Sequence, residues 1–220
     1  MPAFGHGETM DELVKRDGLF FRKFFDVPYT GSVDGKVRGS FVDGKKNGPW
    51  VAFWEDGTLD FRGGYKMGER DGEWESYLSS GKLFYRGVYE DGLKVGEWFE
   101  HDYDTGDWYA TGYYASGNKS GLWEAKYYAG GVHWKASFSS GALDGPFISF
   151  WENGQLKEKG DFLSGRKEGF WKSYWPNGRV RYEGNFQKGM KVGVWKAFFK
   201  NGQRYHAESG KFESGVKVVD

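Results

Sequence analysis

Gly169-Phe170-Trp171-Lys172-Ser173-Tyr174-Trp175-Pro176-Asn177-Gly178, continuing through Gly184-Asn185-Phe186-Gln187-Lys188-Gly189, is the clearest copy of a pattern that fills most of this 220-residue chain. Its leading glycine and the aromatic residue two places on recur at Gly48, Gly72, Gly96, Gly121, Gly145, Gly169 and Gly193. The steps are 24, 24, 25, 24, 24 and 24 residues. A fixed period of this length marks an array of small units, each burying its apolar face only against its neighbours. The array then matters more than any single unit.

Numbered from the leading glycine, positions 9 and 10 read Asp56-Gly57, Asn153-Gly154, Asn177-Gly178 and Asn201-Gly202. Asn-Gly or Asp-Gly between alternating apolar runs is a strong hairpin signal, because a type I′ turn needs positive φ at both central residues. A two-residue turn there pairs position 7 with 12, 5 with 14 and 3 with 16. Tryptophan (or Phe147) at position 3 then faces Gly63, Gly87, Gly160 or Gly184 at position 16. Small residues at position 5 face large ones such as Phe61, Tyr85 and Tyr182 at position 14. On the other side the same register sets Glu75 opposite Arg86 and Lys172 opposite Glu183. Complementary size on one face and complementary charge on the other support the pairing.

The expected architecture is all-β: an elongated, single-layer antiparallel meander of tandem hairpins of about 24 residues. Residues 1–23 read as an N-terminal cap, 24–47 as a degenerate first repeat, 48–215 as seven tandem repeats, and 216–220 as a C-terminal tail. Thr9-Met10-Asp11-Glu12 has the form of a capping box, with Lys15, Arg16 and Gly18 as stop signals, so a short helical cap is expected at about 9–16. Two extra residues between Gly202 and Gly210 suggest a second cap.

Composition narrows the function. Lys plus Arg and Asp plus Glu are 31 each, so there is no basic excess of the kind nucleic-acid binders carry. The chain has no cysteine, which removes thiolate chemistry and disulfides. No apolar run approaches the roughly 20 residues a membrane helix needs. As it stands the sequence reads as cytoplasmic. Ala3-Phe4-Gly5 has the small-x-small form of a cleavage site, so a periplasmic or exported protein whose leader has been removed is the alternative.

Written out as G-x-W-x-x-Y-x-x-N-G-x-L-x-x-x-G-x-Y-x-x-G, the repeat resembles the variant MORN repeat of bacterial proteins labelled YwqK-type antitoxin-like, over about residues 24–215. The resemblance implies a non-enzymatic hairpin array that contacts other macromolecules, a protein partner first among them.

Two sets of residues are candidates for that contact. Position 6 lies on the face opposite the tryptophans and carries Phe53, Tyr77, Phe150, Tyr174 and Phe198. Together these rings could form a strip for a protein or a stacking platform for a glycan; singly, each reads as part of a half-exposed ladder. The second set is where the third and fourth repeats break the pattern, with His101, Asp102 and Lys126 near an inserted Thr105, and His133 after the Gly130-Gly131 turn. Asp104 and Asp107 belong to the same stretch. Departures from a repeat are where a specific site can be built, and neutral drift or a local bend in a long sheet is the plainer reading of the same residues. His101 and His133 have no metal-ligand spacing, and Asp102-Tyr103-Asp104 lacks the rest of a calcium loop. No serine or histidine sits in a nucleophile motif. No metal, cofactor or catalysis is therefore expected. The partner is a protein, with a carbohydrate or cell-envelope ligand as the alternative; self-association through the unpaired end strands is a further option.

Overall fold

A computed structural model describes residues 8–102 and 106–218. Its residues form two compact units divided between His101 and Asp102. In unit one, β1 (Leu13–Arg16) and β2 (Leu19–Arg22) form a separate hairpin. β3 (Gly31–Val33), β4 (Val37–Val42), β5 (Lys45–Phe53), β6 (Leu59–Lys66), β7 (Glu69–Tyr77), β8 (Leu83–Glu90) and β9 (Leu93–His101) then follow. Each of these pairs antiparallel with the next.

Unit two contains β10 (Trp108–Ala115), β11 (Asn118–Tyr127), β12 (Val132–Ser139), β13 (Ala142–Phe150), β14 (Leu156–Leu163) and β15 (Arg166–Tyr174). It ends with β16 (Val180–Gln187), β17 (Met190–Ala197), β18 (Gly210–Glu213) and β19 (Val216–Val218), in the same successive antiparallel order. The all-β meander of hairpins is as the periodicity predicts. Asp104, Thr105 and the Ala3-Phe4-Gly5 segment lie outside the described residues.

The hairpin turns differ from expectation in an instructive way. At Asp56-Gly57 the closing bonds run from Trp54 N–H to Thr58 O at 2.8 Å and from Gly57 N–H to Trp54 O at 2.9 Å. The loop therefore has three residues, and of Asp56 and Gly57 only Gly57, at φ 83°, is left-handed. This is a type I turn closed by a glycine bulge rather than a type I′ turn. The same bonds recur at Trp151–Gln155 and Trp175–Arg179. The odd residue is absorbed by a register shift beside Phe53, so Phe53 rather than Trp54 pairs with Leu59. Below the shift the pairs are as read from sequence: Trp50 with Gly63, Val51 with Arg62 and Ala52 with Phe61.

The type I′ turns instead join one hairpin to the next. Met67 and Gly68 lie at φ 48° and 98°, Ser164 and Gly165 at 48° and 79°, Lys188 and Gly189 at 51° and 84°. Glycine accepts this region freely, whereas a side chain there is strained. Met67→Asn is expected to raise stability by about 0.5–1 kcal/mol, read from the urea midpoint, because asparagine tolerates the left-handed region. An unchanged or lower midpoint would contradict this.

At the N-terminus the capping box forms but the helix does not continue. Glu12 accepts the Thr9 N–H at 2.6 Å and its hydroxyl at 3.1 Å, which holds the carboxyl below its usual range. The helix is one 3-10 turn, Met10–Glu12, and Leu13–Arg16 is strand. The stop signal Asp17-Gly18 is a I′ turn, at φ 48° and 81°. Leu13, buried with Tyr29, Val33, Phe41 and Trp50, explains the choice: as β1 it joins the cluster around the first tryptophan, whose preceding repeat is degenerate.

The core is a row of indoles. Trp50, Trp74, Trp98, Trp123, Trp171 and Trp195 are at most 2% exposed. The ring that covers each position-16 glycine belongs to the next hairpin. A Cβ on Gly63 would lie 2.2 Å from Trp74, and one on Gly160 2.3 Å from Trp171. Position-18 rings stand edge-on to the indoles, as in Tyr65–Trp74 at 5.1 Å and Phe162–Trp171 at 5.1 Å. Register shifts after position 16 leave a carbonyl open, and the indole N–H takes it: Trp74 to Gly64 O at 2.9 Å, Trp171 to Asp161 O at 3.0 Å. One exception supports the rule. Phe147 replaces tryptophan, and its Cα partner on β12 is Ala136 rather than glycine.

Candidate functional site

The indole rings are buried by their own chain and offer no ring face to a ligand; the opposite face and the loops are more open. That opposite, back face carries positions 2, 4 and 6. In unit two, position 2 is apolar throughout: Leu122, Pro146, Phe170 and Val194. Leu122 is 63% exposed, Phe170 53% and Val194 62%. Their Cα partners are Ser137, Asp161, Asn185 and Lys211, so apolar and polar side chains alternate across the strands. Two strand spacings set the apolar residues about 9.6 Å apart. In unit one the same position holds Pro49, Glu73 and Glu97, so the apolar row at position 2 is not continued there.

Ion pairs run beside this row. Glu124 takes Lys126 at 3.1 Å and Lys135 at 2.6 Å; both bonds hold its carboxyl below the usual range. Glu183 takes Lys172 at 2.9 Å and Lys196 at 3.5 Å. Glu75 reaches Arg62 on β6 rather than Arg86, its expected partner on β8. Half-buried pairs of this kind, open to solvent at one side, add about 1 kcal/mol or less each and chiefly set the charge pattern.

The nine candidate residues divide between the units. Phe53, Tyr77 and His101 belong to unit one; Asp102, Lys126, His133, Phe150, Tyr174 and Phe198 belong to unit two. The position-6 rings are half-buried, and Phe53 carries the Arg38 guanidinium 5.2 Å from its centroid. Their backbone carbonyls tie hairpins together. Trp54 Nε1 donates to Tyr77 O at 3.1 Å, Trp151 Nε1 to Tyr174 O at 3.2 Å, and Trp175 Nε1 to Phe198 O at 2.9 Å. His101 is buried at 6% exposure. Lys126 lies on the exposed back face.

His133 sits among rings, 4.4 Å from Tyr127 and 5.5 Å from Trp108. Burial lowers its pKa, the Lys157 charge lowers it further, and Asp102 opposes both. Asp102 donates its N–H to Trp108 O at 2.9 Å, which begins unit two. Among the described residues, no group of three or more His, Asp or Glu side chains is placed to hold a metal ion.

A second feature was not legible as a site. A cavity of about 520 Å³ opens beside β16 and β17, lined by Trp175, Arg181, Phe198, Phe199, Tyr205 and Glu208 among others. The two extra residues after Gly202 build it. They allow a 3-10 turn, His206–Glu208, which brings Tyr205 4.5 Å from Phe199. Ser209 holds the turn, its hydroxyl donating to Tyr205 O at 2.8 Å and accepting the Ala197 N–H at 2.9 Å. Arg181 stacks on Trp175 at 4.6 Å. Tyr182, on the cavity wall, is pushed up to about 12 by burial and by the Glu158 carboxylate 3.1 Å away. Of the nine candidates only Phe198 lines this space.

No helix among the described residues is long and apolar enough to cross a membrane. No curated protein matches the chain. Residues 70–91, 143–163 and 167–188 match the family model of the MORN repeat variant, and these are the β7–β8, β13–β14 and β15–β16 hairpins. MORN repeats are in general scaffolds for contacts with proteins or membrane lipids. Three of the hairpins in this array thus carry the sequence signature of the MORN repeat variant.

Proposed function

We propose that this chain is a non-catalytic scaffold that binds a protein partner across the back face of unit two. The observation that carries the reading is the exposed row of Leu122, Pro146, Phe170 and Val194, repeated once per hairpin and bordered by ion pairs. Large apolar side chains held at fixed spacing on a rigid sheet supply contact area at low entropic cost, and a polar border sets orientation. In the finer form of this reading the partner is a cognate toxin, and a neighbouring gene is then lethal without this one.

The test is purification of the tagged protein from its native host, with identification of what co-elutes. A stoichiometric protein is expected, and Phe170→Asp is expected to weaken its capture at least thirtyfold, about the loss of a central hot spot. A partner retained by Phe170→Asp would remove this face from the function. The cavity beside Phe198 favours a second reading, a carbohydrate or cell-envelope ligand stacked on Trp175 and Tyr205 with Arg181 and Glu208 at its edge. A bait with no protein partner, together with glycan capture lost in Phe198→Ala, would favour that reading over the first.

A further inference from the structure

Four residues before each buried tryptophan the chain places a cation. Lys46, Arg70, Lys94, Lys119, Lys167 and Lys191 lie 4.2, 4.3, 4.2, 3.9, 3.8 and 4.8 Å from the ring centroids of Trp50, Trp74, Trp98, Trp123, Trp171 and Trp195. Before Phe147 the same place holds Leu143, so the cation accompanies the indole.

Three of these cations also meet a carboxylate of this chain. Lys94 pairs with Glu100 at 2.7 Å, Lys167 with Glu158 at 2.9 Å and Lys191 with Glu208 at 3.7 Å. Glu100 stands at position 5 and Glu158 at position 14. Around β5 to β8 those positions are Ala52, Phe61, Ser76 and Tyr85, none of which carries charge. Among the described residues Lys46 has no ion pair, and Arg70 has hydroxyls instead, those of Tyr85 at 3.3 Å and Tyr89 at 2.8 Å. Tyr65 connects the two: its centroid is 4.9 Å from Lys46 Nζ and its Cα is paired with that of Arg70.

Burial, then the charges of Arg70 and Lys15, hold the Lys46 ammonium below the usual lysine range. Lys46 and Arg70 are thus two half-buried cations with no carboxylate paired to either among the described residues. Such a group gains strongly from a charge-assisted bond.

We propose that Lys46 and Arg70 form a binding site for the carboxylates of an acidic segment in a protein partner. The class of ligand is set by the chain itself, which supplies glutamate to the equivalent cation elsewhere. Two strand spacings separate successive hairpins, about 9.6 Å, and two carboxylates about three residues apart in an extended acidic run span that distance at roughly 3.3 Å per residue. The proposal rests on the protein-binding reading but concerns another face and another unit.

The probe is fluorescein-labelled hexaglutamate, titrated against the full chain by anisotropy. Lys46→Gln and Arg70→Gln are each expected to weaken binding about tenfold, the loss of one charge-assisted contact. Lys94→Gln is expected to change it by about twofold or less, since Glu100 already neutralises that charge. Lys46→Arg, which keeps the cation, should restore most of the affinity, and this separates charge from fold if Lys46→Gln lowers the melting temperature. Absence of hexaglutamate binding up to about 1 mM would overturn the site, as would an equal loss in Lys94→Gln. Tighter binding of inorganic phosphate than of hexaglutamate at these cations would overturn the carboxylate assignment. Capture of a partner through Phe170 does not depend on either result, so the two readings fail separately.

Discussion

Trp171→Ala is expected to cost about 3–5 kcal/mol of stability, one of the two largest effects anywhere in the chain. The side chain is fully buried and meets neighbours on every side. Phe162 stands edge-on at 5.1 Å, Phe186 at 6.1 Å, and Phe147 is stacked at 5.9 Å. Lys167 lies over the ring at 3.8 Å, and Nε1 donates to Asp161 O at 3.0 Å and Glu168 O at 3.2 Å. Alanine removes all of these and leaves a void between β14 and β16 that rigid strands cannot close. Since each hairpin contacts chiefly its neighbours, the loss should be local. Hydrogen exchange should accelerate first in β13 to β17 and leave β4 to β7 close to wild type. A cost under about 1 kcal/mol, or uniform acceleration, would contradict the indole row as the source of stability.

Gly160→Ala is the second, and it tests the other half of the same contact. A Cβ there would lie 2.3 Å from two Trp171 ring atoms, far inside van der Waals contact, and the indole has no free space to move into. The expected cost is about 2–4 kcal/mol, at the upper end of overpacking because the obstacle is a fully buried ring. The chain already contains the compensated form, Phe147 over Ala136. Trp171→Phe alone should cost about 1–2 kcal/mol through lost area and the lost N–H bond to Asp161. In that background Gly160→Ala should cost much less than in wild type, with a coupling of at least about 1 kcal/mol in a double-mutant cycle from urea unfolding. Additive costs would show that the glycine serves only the backbone.

The fold was legible because its signal is repeated. One Gly-x-aromatic triplet is weak, but seven at a near-constant step define an array, and the pairing of Trp50 with Gly63 or Lys172 with Glu183 follows from size and charge. The turns were not legible, because Asn-Gly fits both a two-residue I′ turn and the glycine bulge of a three-residue loop. The closing bonds at Trp54, the φ of Asp56 and the register shift beside Phe53 distinguish them. The I′ turns went unread at Met67-Gly68 and Lys188-Gly189 because methionine and lysine are poor left-handed residues, placed there by the strands on either side. Thr9 to Arg16 carried a true capping box, yet the need to cover Trp50 drew Leu13 into a strand. Local preference was real there and too weak to prevail.

For the candidate sites the balance reverses. The position-6 rings could be placed on the back face from parity alone, but not that they are half-buried while position 2 of unit two is exposed. The cavity beside Phe198 depends on where a two-residue insertion folds, and whether a cation over an indole meets a carboxylate depends on which side chain its own or the adjacent strand brings beside it. Sequence by itself determined the repeat, the strand order and most of the register, because these arise from period, side-chain size and alternation along the chain. Tertiary structure decided which indole covers which glycine, which cation finds a carboxylate and which apolar residues remain in water. Those outcomes depend on neighbours about 6–24 residues away, whose distance is set only once the sheet has twisted and its bulges have shifted the register.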